Sequence, residues 1–197
     1  MARTSTRLLV LGAVREAGAI HGYDLRRELL SWGADEWASV SPGSIYNALN
    51  TLVREGMLEV VGTDRRGSRP ERTTYRLTAE GEEEFRGLLR DNLRRSSPPN
   101  HPLLAGLAFL PFLPRDELAQ AMKDRADGLQ AQAEERFAKQ RAILESPASP
   151  SRGGIPRHVA ESFRLTAELL QSEAAWARDL AERLEGGELD GLWAADH

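Results

Sequence analysis

The sequence predicts a mainly α protein: a winged helix-turn-helix N-terminal domain with a two-stranded β wing, followed by an all-helical dimerisation domain. Three observations predict it. Three short segments with helical apolar spacing lie before Gly56. Two segments of strict alternation follow, joined by the arginine-rich turn TDRRGSRPER. From Arg115 onward come two long apolar-periodic stretches with no strand pattern.

The first helix is expected over Thr6 to Ala17, with Leu8, Leu9, Leu11, Ala13 and Val14 apolar and Gly18 ending it. His21-Gly22 reads as a turn. Tyr23 to Trp32 is a second helix, closed by Gly33. The third helix is SPGSIYNALNTLVR. Ser41 can cap it, and Pro42 fits the first turn because its missing N–H is not needed there. Ile45, Ala48, Leu49, Leu52 and Val53 make a buried stripe. The opposite face carries Gly43, Ser44, Tyr46, Asn47, Asn50, Thr51 and Arg54, with no carboxylate before Glu55.

Met57 to Val61 and Arg72 to Thr78 are the two strands. Thr78 caps a fourth helix reaching about Arg95, and its early Glu80, Glu82, Glu83 and Glu84 suit the positive end of the helix dipole. SSPPN breaks the chain. The apolar HPLLAGLAFLPFLP reads as a buried helix and turn. Arg115 to Leu144 is a long helix with a stripe of Leu118, Met122, Ala126, Leu129, Ala133, Phe137 and Leu144. Pro156 to Leu184 is another. One of its stripes contains Val159, Phe163, Leu170, Ala174, Ala177, Ala181 and Leu184, and a second holds Leu165, Leu169, Trp176 and Leu180. One partner helix cannot cover both, so a second copy of the chain is expected against the other. In the tail, Leu192 and Trp193 are placed to dock on a partner.

The expected domains are 1–95, a winged helix-turn-helix DNA-binding domain with its connecting helix; 96–102, a linker; and 103–197, a helical dimerisation domain, to which the resemblance given below adds effector binding. Of 197 residues none is Cys, which excludes disulfides and thiolate metal sites and suits the cytoplasm. No segment approaches a membrane span. Up to Thr78 there are 11 Arg against 9 Asp and Glu, and the remainder is net acidic. That imbalance is too small to identify a nucleic-acid binder by itself. The four histidines are scattered without ligand spacing, and no nucleophile elbow or phosphate-cradling glycine loop occurs. Neither a metal nor a catalytic residue is expected.

The set LLVLGAVREAGAIHGYDLRREL, SPGSIYNALNTLVREGMLE and TYRLTAEG resembles the PadR family of bacterial transcription regulators. PLLAGLAFLPFLPRDEL and ELLQSEAAW resemble the helical region of its larger members. The resemblance implies a winged-helix DNA-binding domain, a helical dimerisation domain and repression relieved by a small molecule. It also implies a DNA-backbone contact for Tyr46.

Asn47 and Asn50 are then expected to face base edges, where a carboxylate would repel phosphate. Ser41, Gly43 and Ser44 would hold a phosphate at the helix N-terminus. Arg54 would touch phosphate or pair with Glu55. In the wing, Arg65, Arg66 and Arg69 would reach phosphates or the minor groove. Arg72 and Arg76 would pair with Glu71 or Glu59. The expected partners are an operator duplex, as an inverted repeat, and a second copy through the C-terminal helices. No cofactor is required. A small-molecule effector would find Phe109, Phe112, Phe163 and Trp176, although plain core accounts for each as well. The competing reading is a winged-helix protein-interaction module that never touches DNA.

Overall fold

The computed structural model describes residues 2–38, 40–64, 72–96, 101–146 and 155–193. They form two compact units, the first running to Ser96 and also taking in Ile155, the second holding the other described residues.

The first unit runs α1 (Ala2–Ala17), β1 (Ala19–His21), α2 (Gly22–Ser31), α3 (Ala34–Trp37), α4 (Pro42–Arg54), β2 (Leu58–Asp64), β3 (Arg72–Leu77) and α5 (Ala79–Arg94). Its core takes Val10, Leu11 and Val14 from α1, Leu25 and Leu29 from α2, and Ile45, Leu49 and Leu52 from α4. In α2 and α4 these residues follow the helical spacing; in α1 Leu11 and Val14 are as expected, but Val10 is buried while the expected Leu8 and Leu9 are only part-buried. Each such side chain contributes roughly 1.5–3 kcal/mol by leaving water, so the three-helix arrangement is held chiefly by this cluster. Trp32 is buried beside it, and Trp37 donates its indole N–H to the Trp32 carbonyl at 2.8 Å.

The sheet has three strands, not the two expected. Its order is β1-β3-β2, all antiparallel, with Ile20 opposite Tyr75 and Leu58 opposite Leu77. The expected turn at His21-Gly22 is the end of β1. His21 is fixed there by Thr74, whose Oγ1 lies 2.9 Å from the His21 Nδ1. A three-residue strand is too short to show a period, and its partner is more than fifty residues away in sequence.

At the junction of wing and α5, Thr78 accepts a bond from the Gly81 N–H at 3.0 Å and donates to the Gly56 carbonyl at 2.7 Å. One hydroxyl thus caps α5 and closes the end of α4. Gly56 itself has φ +77°, the left-handed conformation that stops α4.

The second unit runs α6 (Leu103–Leu107), a 3-10 turn at Leu110–Phe112, α7 (Arg115–Glu145), a 3-10 turn at Arg157–Val159, α8 (Ala160–Glu185) and a 3-10 turn at Asp190–Leu192. The long helices α7 and α8 meet along a seam rich in alanine: Ala126 and Ala133 from α7, Ala167, Ala174, Ala177 and Ala181 from α8. Leu118, Met122, Leu180 and Leu184 close one end, and Leu107, Leu110, Leu189 and Trp193 pack over them.

Three expectations are corrected here. Ile143, not Leu144, faces the seam. At 100° per residue, position 144 lies about 60° from the line of Leu129, and position 143 about 40°. The 103–113 segment is not buried: only Leu107 and Leu110 turn to the core, while Leu104, Phe109, Phe112 and Leu113 are exposed. Trp193 docks on its own chain, donating its indole N–H to the Leu113 carbonyl at 2.9 Å. The second stripe of α8 behaves as its width predicts at three of its four positions. Leu165 and Leu169 are 58% and 61% exposed and Trp176 is partly so, while Leu180 is buried.

Candidate nucleic-acid interface

Helix α4 begins with a reciprocal cap. The Ser41 hydroxyl accepts from the Ser44 N–H at 3.2 Å, and the Ser44 hydroxyl accepts from the Ser41 N–H at 3.0 Å. Ser44 also donates to the Ser41 carbonyl at 2.7 Å. Both hydroxyls therefore serve the cap, which aligns the free N–H groups of the first turn. Ile45, Leu49 and Leu52 fix the rotation of the helix about its axis by filling the core. That rotation turns Gly43, Tyr46, Asn47, Asn50 and Arg54 outward, and all five are exposed.

Tyr46 has a second role. A β-carbon on Gly22 would lie 3.5 Å from the Tyr46 ring, 3.4 Å from Leu49 and 3.2 Å from the Tyr75 ring. Gly22 thus lets α2 approach α4 and β3 closely, and the Tyr46 ring leans over it. Sequence periodicity does not single out Gly22. Its place between His21 and Tyr23, in the stretch that resembles a known family, was the available signal.

Ion pairs organise the cations of this unit. Arg7 of α1 bonds Glu84 of α5 at 2.8 Å and also pairs with Glu55, at the end of α4. Burial works against the Arg7 charge, but the bonds and charges of Glu55 and Glu84 outweigh it and raise its pKa above the ordinary arginine value. Arg76 bonds Glu59 at 2.8 Å, as the strand alternation predicts. Glu55 is therefore taken by Arg7, not Arg54. Among the described residues Arg54 has no ion pair. The outer face of α4 carries a cation with no ion pair among the described residues, two amides and no carboxylate. It can accept and donate hydrogen bonds to base edges without repelling phosphate.

The wing residues Arg65, Arg66 and Arg69 lie outside the described residues, as does the side chain of Arg72. The strands leading to them are in place, with Asp64 opposite Arg72 in the ladder.

The four residues named for an effector do not meet in the described chain. Phe109 and Phe112 stack edge to face with ring centroids 6.2 Å apart, and both are exposed. Phe163 is 3% exposed and belongs to the α8 core. Trp176 is thirteen residues further along α8, about 20 Å at 1.5 Å per residue. Phe163 and Trp176 therefore stand on well-separated turns of α8.

Residues 10–87 match the family model described as the transcriptional regulator PadR-like family. Three solved structures share the fold. Bacillus subtilis PadR in complex with operator DNA is 21% identical, with TM-score 0.67 over 90% of this chain and 98% of that one. The same regulator in complex with p-coumaric acid gives 18% identity and TM-score 0.66, over 93% of this chain and 97% of that one. A PadR-like transcriptional regulator from Bacillus cereus gives 18% identity and TM-score 0.60, over 92% and 98%. No curated protein matches the chain. Among the described residues, no helix is long and apolar enough to cross a membrane. Residues 10–87 of this chain are thus similar to the PadR-like family of transcriptional regulators, and the fold is the one those solved regulators share.

Proposed function

We propose that the chain is a repressor that binds an inverted-repeat operator as a homodimer and is released or retained by a small-molecule ligand. The observation that carries this reading is the outer face of α4: exposed Asn47 and Asn50 between a capped N-terminus and Arg54, which has no ion pair among the described residues, with no acid. Asn47 and Asn50 read base edges. Tyr46, Ser41, Gly43 and Ser44 set the N-terminal turn against a phosphate. Arg65, Arg66 and Arg69 add wing contacts. Residues 1–95 form the DNA-binding domain with its connecting helix, 96–102 a linker, and 103–197 the dimerisation and ligand-binding domain. The structures of B. subtilis PadR with operator DNA and with p-coumaric acid support both halves of this reading. The exposed stripe of Leu165, Leu169 and Trp176 supports a second copy as the partner of α8. The work is done in the cytoplasm, where a bacterial operator lies.

Footprinting of the region upstream of the protein's own gene tests it. The wild type should protect two half-sites about one helical turn, or a multiple, apart. An Asn47→Ala, Asn50→Ala variant that keeps its circular dichroism should retain only weak, salt-sensitive binding. Absence of selective binding by the wild type to any upstream or genomic fragment would overturn the reading in favour of a protein-contact surface on α4.

A further inference from the structure

Between Ala19 and Asp64 the chain has three arginines: Arg26, Arg27 and Arg54. Arg27 is held by Asp24 on its own helix at 3.0 Å. Arg26 and Arg54 have no ion pair among the described residues. Arg54 closes the last turn of α4. Arg26 is on α2, four residues after Gly22, and so on the same side of that helix. Gly22 is the point where α2 touches Tyr46 and Leu49 of α4. Arg26 lies about 6 Å further along α2, toward the α3 connection that leads into the capped N-terminus of α4.

The Arg26 side chain is held in an unusual way. Its Nε is buried, no hydrogen bond joins its guanidinium to another described residue, and the residue as a whole is only part-buried. The inner part of the side chain is thus packed. A guanidinium whose inner N–H has lost water gains most from a strong acceptor at its outer edge, and a phosphate diester is such an acceptor. Burial of the stem also reduces the side-chain entropy that binding would otherwise remove.

We propose that Arg26 holds a DNA backbone phosphate beside the N-terminal end of α4 while Arg54 holds one beside the C-terminal end, clamping the reading helix at both ends. This rests on the DNA-binding reading above. Arg26 is a positioning residue: it carries no base information, and it sets how deeply and at what angle Asn47 and Asn50 enter the groove.

Arg26→Gln and Arg27→Gln are compared with the wild type on the footprinted duplex, on a scrambled duplex and across a salt series. Each neutralised phosphate contributes about −0.9 to the slope of log affinity against log salt. Arg26→Gln in a dimer should therefore make the slope shallower by about 2 and weaken both duplexes by a similar factor, roughly 3- to 30-fold. Arg27→Gln, whose cation is already paired, should change the slope by less than half as much. Arg26→Lys should recover the slope. If Arg26→Gln keeps the wild-type slope, even with a lower melting temperature, its role is packing and the clamp is overturned. Equal slope changes in the two Gln variants would reduce the effect to general charge and overturn it as well. If the wild type binds no duplex, the DNA-binding reading itself falls, a result distinct from a wild type that binds and a variant that does not differ.

Discussion

A β-carbon on Gly81 would stand 2.0 Å from the backbone carbonyl oxygen of Met57 and 3.0 Å from Leu77. The first turn of α5 is therefore pressed against the start of β2, with only a hydrogen atom's thickness to spare. Backbone cannot yield there without moving the wing. Gly81→Ala should cost about 3 kcal/mol or more, a fall in melting temperature of at least about 10 °C for a unit of this size. Thermal unfolding by circular dichroism checks it. A variant that melts with the wild type would show that the wing and α5 can separate freely.

The Ser41–Ser44 cap predicts a graded series. Ser41→Ala should destabilise by about 1 kcal/mol and Ser41→Gly by only a few tenths. DNA affinity should fall in the same order, since a frayed first turn displaces Tyr46 and Asn47. Denaturant melts and binding isotherms measured on the same preparations decide whether the two quantities move together.

Acid should loosen α5 through Glu82. Hydrogen bonding from Arg15 comes first among the causes holding its carboxyl below the ordinary glutamate range, partly opposed by desolvation, with Arg86 adding to it. A carboxyl with a lowered folded pKa stabilises above its unfolded pKa, and that contribution is lost as pH falls through the folded value. Stability should thus be level near neutrality and decline below about pH 4.5. In Glu82→Gln that part of the decline should be missing. Unfolding curves taken from pH 7 to pH 3 on both proteins provide the comparison.

The exposed stripe on α8 gives a test of assembly. Leu165→Glu with Leu169→Glu places two charges on surface that is open in the single chain, so the fold should survive. The pair should convert a dimer to a monomer, read by light scattering, and DNA affinity should drop by more than 100-fold as two half-sites lose their linkage. A dimer that persists would move the interface elsewhere.

Trp193 offers a last measurement. Its indole bond to Leu113 and its packing over Leu118 and Leu184 close the base of the helical unit. Trp193→Phe retains the ring and removes the bond, and should cost about 1 kcal/mol. Trp193→Ala should cost about 3 kcal/mol. Calorimetry distinguishes the two.

Elements that announce themselves locally were legible in the sequence. Ser41-Pro42 marks the start of α4, and alternation marks β2 and β3. Helical spacing selects Ile45, Leu49 and Leu52, and so fixes which way Asn47 and Asn50 point. Features that depend on partners distant in sequence were not. β1 exists because Tyr75 and its neighbours offer a free edge, and three residues cannot display a period. The four-residue α3 reads as a turn for the same reason of length. Arg7 was invisible as a link between α4 and α5, because nothing in its own neighbourhood names Glu55 or Glu84. An aromatic residue type does not by itself tell a ligand contact from core: Phe163 is buried in the α8 core, while Phe109 and Phe112 are exposed.

The alanine seam has a mechanical consequence. Helices joined through methyl groups approach closely and share few interdigitating side chains, so the α7–α8 pair resists bending more than it resists a small axial slip. Along the 31 residues of α7, about 46 Å, a tilt of about 5° at one end becomes a displacement of about 4 Å at the other.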